Sequence, residues 1–322
     1  MQNKNKKDEE ITELRPPSFQ EYIGQDASIR SLKLFIDAAK QRGYSSEHVL
    51  LYGPPGIGKT TLSRIISTEL NGTLHTTSGA VLQKTGDIAA ILTNLKENDV
   101  FFIDEIHRMP RSVEEMLYPV MEDYALDIII GKGPSARTVR LSIPKITIVG
   151  ATTKLALLSA PLRDRFGLLL RLDYYSEDDI CKIIKRSAIH FGIIISDEAV
   201  LEIAKRSRKT PRIANRLIKR ARDISIVENH KIIDFYVISK LFSILDIDDA
   251  GLTDIDMQYL IMIADKFQNS PIGIETIASA LSEDKRTIEE FIEPYLLQIG
   301  FIKKTPRGRI VSERGLRHIE KK

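Results

Sequence analysis

Gly53-Pro54-Pro55-Gly56-Ile57-Gly58-Lys59-Thr60 decides the fold. The octet fits G-x-x-x-x-G-K-[ST] without deviation, and its flanks fit as well. Residues 48–52, HVLLY, form a short apolar run before it. After it, Leu62, Ile65, Ile66 and Leu70 recur at helical spacing until Asn71-Gly72. Strand, glycine loop and helix in that order make a phosphate cradle. Glycines let backbone N–H groups close around phosphate oxygens, and the helix N-terminus adds partial positive charge. The spacing predicts that Gly56, Gly58 and Lys59 hold phosphates, with Thr60 on Mg²⁺.

A second motif fits the first. Phe101-Phe102-Ile103-Asp104-Glu105 is an apolar strand ending in two acids. Asp104 is placed to hold a metal's water shell and Glu105 to polarise an attacking water. A third apolar run, 145–149, ends in Gly150-Ala151-Thr152-Thr153. Its hydroxyls can position that water, Thr153 first and Thr152 in reserve. Leu162-Arg163-Asp164-Arg165-Phe166 offers arginines to a neighbouring subunit, and Thr210-Pro211-Arg212 opens a helix whose Arg212 can reach the γ-phosphate. Strands alternating with helices imply an α/β fold with a parallel sheet covered on both faces.

Strand signals end near Tyr174-Tyr175-Ser176, residues 177–245 read as consecutive helices, and an acidic, glycine-containing stretch at 246–251 suits a hinge. The expected division is a disordered leader at 1–13, an ATPase domain at 14–175, a helical lid at 176–247 and a last domain at 248–322. In that last part, Met257, Leu260, Ile261 and Ala264, then Ile277, Ala278 and Leu281, then Ile288, Phe291, Ile292 and Tyr295 form three apolar stripes. A hairpin follows, turning through Thr305-Pro306-Arg307-Gly308-Arg309, so a winged helix is expected. Its third helix is acidic (Glu283, Asp284, Glu289, Glu290, Glu293), while residues 300–322 are basic. Duplex binding is therefore expected through the wing, to backbone and without sequence preference. The plainer alternative is a solubilising tail.

Residues 126–143 read as another hairpin, with Ile128, Ile129 and Ile130 on its first strand. Three successive strand residues cannot share one face. Either a second packed face or a partner surface accounts for them.

The bulk numbers agree with a soluble protein: 322 residues, 43% hydrophobic, 28% charged and a net charge of +3. No apolar run reaches membrane-spanning length, and the polar MQNKNKKDEE start has no h-region. The lone Cys181 forbids an intrachain disulfide, which suits a reducing cytoplasm.

The order GPPGIGKT, FFIDE, GATT, arginine finger, lid arginine resembles the AAA+ ATPases. LRPPSFQEYIGQ (14–25), TTSGAVLQKTGDIAAILTNL (76–95), IDEIHRMPRSVEEMLYPVMEDYALDI (103–128), SAPLRDRFG (159–167), TPRIANRL (210–217) and TPRGR (305–309) more closely resemble the RuvB family. That resemblance implies ATP and Mg²⁺ as cofactors and branch migration of Holliday junctions in recombination, repair and the SOS response. It implies a homo-hexameric ring on four-way double-stranded DNA, with RuvA as partner and the RuvC resolvase in a larger complex. It puts Leu14, Arg15, Tyr22 and Ile23 on the adenine side and Gly56, Lys59, Thr60 and Thr61 on the phosphates. Glu122, Asp123 and Tyr124 would contact nucleotide from the adjacent subunit, with Arg165 the trans finger. Tyr175 and Arg212 would complete the pocket. Ile128–Ile130 would dock RuvA, and Lys285, Lys304, Arg307 and Arg309 would contact DNA. Relatives usually carry arginine where this chain has Lys285 and Lys304, and lysine lacks the bidentate fork. A clamp-loader-type switch and a DNA-binding scaffold with an idle ATP site are the rival readings. Intact Glu105 and Arg165 argue against the second.

Overall fold

The computed structural model describes residues 14–43, 46–130 and 137–321, so the expected leader at 1–13 lies outside them. The chain divides into two compact units, Met1–Ile183 with Thr210–Arg212, and Ile184–Lys209 with Ile213–Lys322.

The first unit begins with α1 (Asp26–Arg42), β1 (Val49–Tyr52), α2 (Lys59–Glu69) and β2 (Leu74–Ser78). It continues with α3 (Thr85–Leu92), β3 (Val100–Asp104), α4 (Arg111–Asp123), β4 (Ala125–Ile130) and β5 (Arg137–Ser142). β6 (Thr147–Thr152), α5 (Ala160–Asp164) and β7 (Leu168–Arg171) complete the sheet region, and α6 (Glu177–His190) runs across the unit boundary. Five strands form a parallel sheet in the order β2-β3-β6-β1-β7. β2 and β7 are the edge strands of the sheet and only partly covered, so LHTTS and LLLR carry no buried-strand pattern like that of β3. Val100, Phe101, Phe102 and Ile103 are fully buried, as helices on both sheet faces require. The topology puts β6 between β1 and β3, so the threonines that end β6 lie between the glycine loop and the Asp104-Glu105 pair.

β4 and β5 form the expected antiparallel hairpin, pairing Ile128 with Val139. Ile128 is half-buried and packs against the core under the sheet, so for this residue the packed-face reading holds. The side chains of Ile129 and Ile130 and the hairpin turn at 131–136 lie outside the described residues.

The second unit carries the helical lid and the winged helix. Besides α7 (Asp197–Arg206), α8 (Pro211–Val227) and α9 (Phe235–Ile244), the lid contains β8 (Ile194–Ile195) and β9 (Ile232–Ile233), a short parallel pair that the all-helical reading missed. The stretch expected to be a hinge contains a hydrogen-bonded turn. Asp248 Oδ1 accepts from the N–H groups of Ala250 (2.9 Å) and Leu252 (2.8 Å), and Asp248 N–H donates to the Leu252 carbonyl.

The winged helix follows, with α10 (Asp254–Ile261), α11 (Ile274–Leu281), α12 (Lys285–Thr287), α13 (Glu293–Gln298), β10 (Ile302–Thr305), β11 (Gly308–Val311) and α14 (Glu313–Ile319). A π turn over Ile288–Ile292 joins α12 to α13. Pro294, which has no N–H to continue the ladder, stands two residues beyond the turn and accounts for the widening. β10 pairs with β11, and Ile272 exchanges backbone hydrogen bonds with Arg309 (2.8 and 3.1 Å) to seat the wing on the helices. Gly308, at φ 142°, is required there because a Cβ would lie 2.2 Å from the Ile272 carbonyl.

Two members of the apolar stripes do not join the core. Ile261 is 39% exposed and Phe291 73%, whereas the neighbouring Ile292 is buried at 2%. The π turn shifts the helical phase and turns Phe291 outward. Ile292→Ala should therefore destabilise the winged helix by about 2–5 kcal/mol. Phe291→Ala should stay within about 0.5 kcal/mol of the parent. Urea unfolding followed by a probe in the winged helix measures both, and equal losses would contradict this placement of the core.

Candidate functional site

The glycine loop closes on itself through Lys59. Its Nζ donates to the carbonyls of Gly53 (2.9 Å) and Pro54 (2.8 Å), and the residue is only 7% exposed. Burial pulls this amine down to about 8, against the raising influence of Glu105 and Asp104. Gly58, at φ 106°, sits under the Tyr22 hydroxyl, 2.6 Å from where a Cβ would stand. The hydroxyls of Tyr22 and Tyr175 meet at 3.0 Å, and both reach the Ile57 carbonyl (3.5 and 3.2 Å). The two tyrosines assigned to the pocket thus roof the loop together. Thr60 and Thr61 open α2 half-buried, Leu14 is buried, and Ile23 is half-buried.

Arg212 belongs to this unit although it lies far along the chain. Its N–H donates to the Gly56 carbonyl (3.3 Å), and its Cβ lies 3.0 Å from where a Gly56 Cβ would stand. The Arg15 guanidinium is lowered from its ordinary value by burial first, then by Arg64 and Arg212. A buried ammonium and neighbouring guanidiniums around a glycine loop form a site short of negative charge, which suits a polyphosphate. Arg64 joins this group only through the fold; its sequence position inside α2 gives no sign of it.

The acids face the same loop. Burial raises Asp104 above the ordinary carboxylate value; the Glu105 N–H, which donates to it (3.0 Å), lowers it, the Glu105 charge raises it, and Lys59 and Arg212 lower it. A divalent cation would relieve that penalty, so the Thr60 hydroxyl and Asp104 fit Mg²⁺. Glu105 sits at φ 45°, in the left-handed region that non-glycine residues seldom adopt. There its carboxylate accepts from the Thr153 hydroxyl (3.1 Å) and N–H (3.4 Å), while Thr152 bonds His107 Nδ1 at 2.8 Å instead. His107 Nδ1 also lies 3.2 Å from Glu105 Oε2. Thr153 is therefore the threonine that meets the catalytic candidate, and Thr152 orients His107. Sequence reading passed over His107, and its place two residues beyond Glu105 was the one available signal.

The finger residues form a second group. Arg165 binds Glu122 (3.1 Å), donates to the Pro161 carbonyl (2.7 Å) and lies over the Tyr118 ring (4.2 Å). Asp123 pairs with Arg140, and Tyr124 ends α4 at φ 50°.

The family comparisons cover both units. Models of the RuvB P-loop domain, the RuvB AAA lid domain and the RuvB C-terminal winged-helix domain match residues 14–172, 175–248 and 249–320. A point mutant of Thermotoga maritima RuvB is 47% identical, with 95% of this chain and 98% of that chain covered and a TM-score of 0.88. The chain belongs to the RuvB family. A second structure, described as the Thermotoga maritima RuvB Holliday junction branch migration motor, is 46% identical over 96% of this chain and 98% of that one, with a TM-score of 0.86. RuvB-type P-loop, lid and winged-helix parts are thus all present, and nucleotide binding follows from the P-loop domain. No described helix is long and apolar enough to cross a membrane.

The residues assigned to DNA are only partly free. Arg307 is exposed at the wing turn and makes no hydrogen bond or ion pair among the described residues. Lys285 pairs with Glu275 (2.6 Å). Lys304 (2.6 Å) and Arg309 (2.7 Å) both pair with Glu293, whose carboxylate is fully buried and also accepts from Tyr259 (3.0 Å). Glu293, one of the acids of the third helix, lies beneath the wing and ties two of the wing's cations to the core.

The Lys59 amine gives the nucleotide site a pH signature. Free, it loses its proton near 8; with phosphate bound it retains it. Affinity for a non-hydrolysable ATP analogue should fall above pH 8, approaching tenfold per unit. Calorimetric titration from pH 7 to 9.5 measures this, and a flat profile would contradict the assignment.

Proposed function

We propose that this chain is an ATP-driven, hexameric, double-stranded DNA translocase that moves Holliday junctions together with RuvA. The observation that carries the reading is the convergence of Lys59, Asp104, Glu105, Thr153 and Arg212 on one glycine loop, while Arg165 is engaged with Glu122, outside that group. A site complete but for its finger is what a ring supplies from a neighbour. The proposed division is 14–175 for the motor, 176–247 for the lid and 248–322 for the DNA-binding head.

In this reading, Lys59 exchanges the Gly53 and Pro54 carbonyls for phosphate oxygens. Thr60 and Asp104 would hold Mg²⁺, which would neutralise charge on the phosphates. Water attacks the γ-phosphorus, the bond to the bridging oxygen breaks, and Glu105 takes the water's proton. Thr153 orients Glu105, and Arg212 follows the γ-phosphate. Arg165 of the adjacent subunit stabilises the charge that develops. Arg307 and Lys304 meet duplex phosphates on the wing, Arg309 both meets phosphate and holds the wing on Glu293, and Lys285 contributes from α12. The Ile128–Ile130 strand serves RuvA through whichever of its residues faces outward. A cytoplasmic protein free of membrane is part of the proposal.

The test is ATP-dependent dissolution of a synthetic four-way junction, with and without RuvA. Continuous dissolution supports a motor; one turnover per binding event, without strand exchange, would favour the clamp-loader reading. Glu105→Gln should retain ATP and nearly abolish turnover. Arg165→Ala should cost about 10³ or more in rate. Mixed rings of the two variants should regain some activity at interfaces where both intact groups meet. No recovery in rings shown to be mixed would contradict a shared site.

A further inference from the structure

The turn before Arg212 is fastened to the winged helix. α7 ends at Arg206, and Arg208 and Lys209 follow with φ of 52° and 55°, two successive left-handed residues that reverse the chain into Pro211. Thr210–Arg212 then belong to the nucleotide-site unit, where Arg212 meets Gly56. Four residues earlier, in the second unit, Arg208 is deeply engaged. Its Nε donates to the Gly251 carbonyl (3.0 Å) and its NH2 to Asp256, a carboxylate 1% exposed. Its guanidinium lies 4.9 Å from the centre of the Tyr295 ring, whose hydroxyl donates to the Ala250 carbonyl (2.7 Å). Asp256 also accepts from the N–H and hydroxyl of Thr253 (2.8 and 2.7 Å), so the cation that holds it is fixed at the start of α10. Arg206 adds a bond from Nε to the Asp248 carbonyl (2.9 Å), and His318 closes on Asp248 from α14 (2.8 Å).

We infer that Arg208 is the positioning residue that couples the nucleotide site to the DNA-binding head: through its bonds to Asp256 and Gly251, a nucleotide-dependent displacement of Arg212 is passed along 208–212 to the winged helix. The inference rests on the motor reading. The physical basis is stiffness on both sides of a four-residue link. The hydrogen-bonded 248–252 turn and the buried Asp256 cannot yield locally, because an unpaired carboxylate in that position is costly. Interior packing passes on small shifts rather than absorbing them. Arg serves this role better than Lys, since one planar fork serves Gly251, Asp256 and the Tyr295 face together.

The test is thermodynamic linkage in the full-length chain. Affinity for a non-hydrolysable ATP analogue is measured with and without saturating duplex DNA, and duplex affinity with and without the analogue. Reciprocity requires one coupling factor from both, with about 5- to 150-fold the usual range for coupled sites. Arg208→Met keeps the stem against Tyr295 and removes the donors. It should bring the factor to about 1, leaving each separate affinity and the ATPase rate without DNA within about twofold. Arg208→Lys should give an intermediate factor. If Arg208→Met fails to fold because Asp256 is left charged, Arg208→Met with Asp256→Asn removes both charges and keeps an acceptor for Thr253; the same loss of coupling is expected. A parental factor in either variant overturns the inference. So does a factor of 1 in the unaltered chain. Junction dissolution by the unaltered chain tests the motor reading separately: dissolution with unchanged linkage in the variants rejects Arg208 alone, and no dissolution rejects the motor.

Discussion

The buried ammonium of Lys59 sets the terms for the rest of the nucleotide site. The charge of a lysine only 7% exposed needs partners, and here they are two loop carbonyls with Asp104 and Glu105 nearby. Carbonyls are weak partners compared with phosphate oxygens, so the loop is held closed by bonds that a better acceptor displaces. The strands that carry the loop, the acids and the threonines are all parallel, and their carboxyl ends therefore meet along one edge. Nothing in that arrangement depends on long side chains finding each other; the sheet order places them.

The second unit solves a different problem with the same device. Its wing is basic and must stay solvent-facing while remaining fixed. Glu293, buried beneath it, pairs with Lys304 and Arg309 and receives the Tyr259 hydroxyl. The partners hold its carboxyl below the ordinary range despite a burial penalty that is the largest single influence. Its contribution is therefore present above the unfolded carboxylate pKa and lost as pH falls through the lower folded value. Asp256 with Arg208 repeats the arrangement at the joint between lid and head. Both are buried acids whose cations come from another element, which fixes geometry more than it adds stability.

What was legible in the chain follows from range. The loop octet and the FFIDE strand end depend on neighbours within a few residues, and periodicity carried the helices. β7 and β2 lacked that local signal, because they are the edge strands of the sheet and are largely half-buried or exposed. His107 beside Glu105, Arg64 beside Arg15 and Glu293 beneath Arg309 are contacts that only folding creates. Phe291 misled because a stripe drawn at 3.6 residues per turn does not survive a π turn. The choice of Thr153 over Thr152 was open in the sequence; the structure gives Glu105 to the first and His107 to the second.

In the proposed motor, the Lys59 loop hydrolyses ATP and the DNA that the winged helix binds stimulates that hydrolysis. Phosphate release from Mg·ATP, with and without long duplex DNA, measures it most directly. The account predicts steady release that rises when duplex is added and disappears in Lys59→Ala. Release at the parental rate by Lys59→Ala, or none from the intact chain with or without DNA, would contradict it.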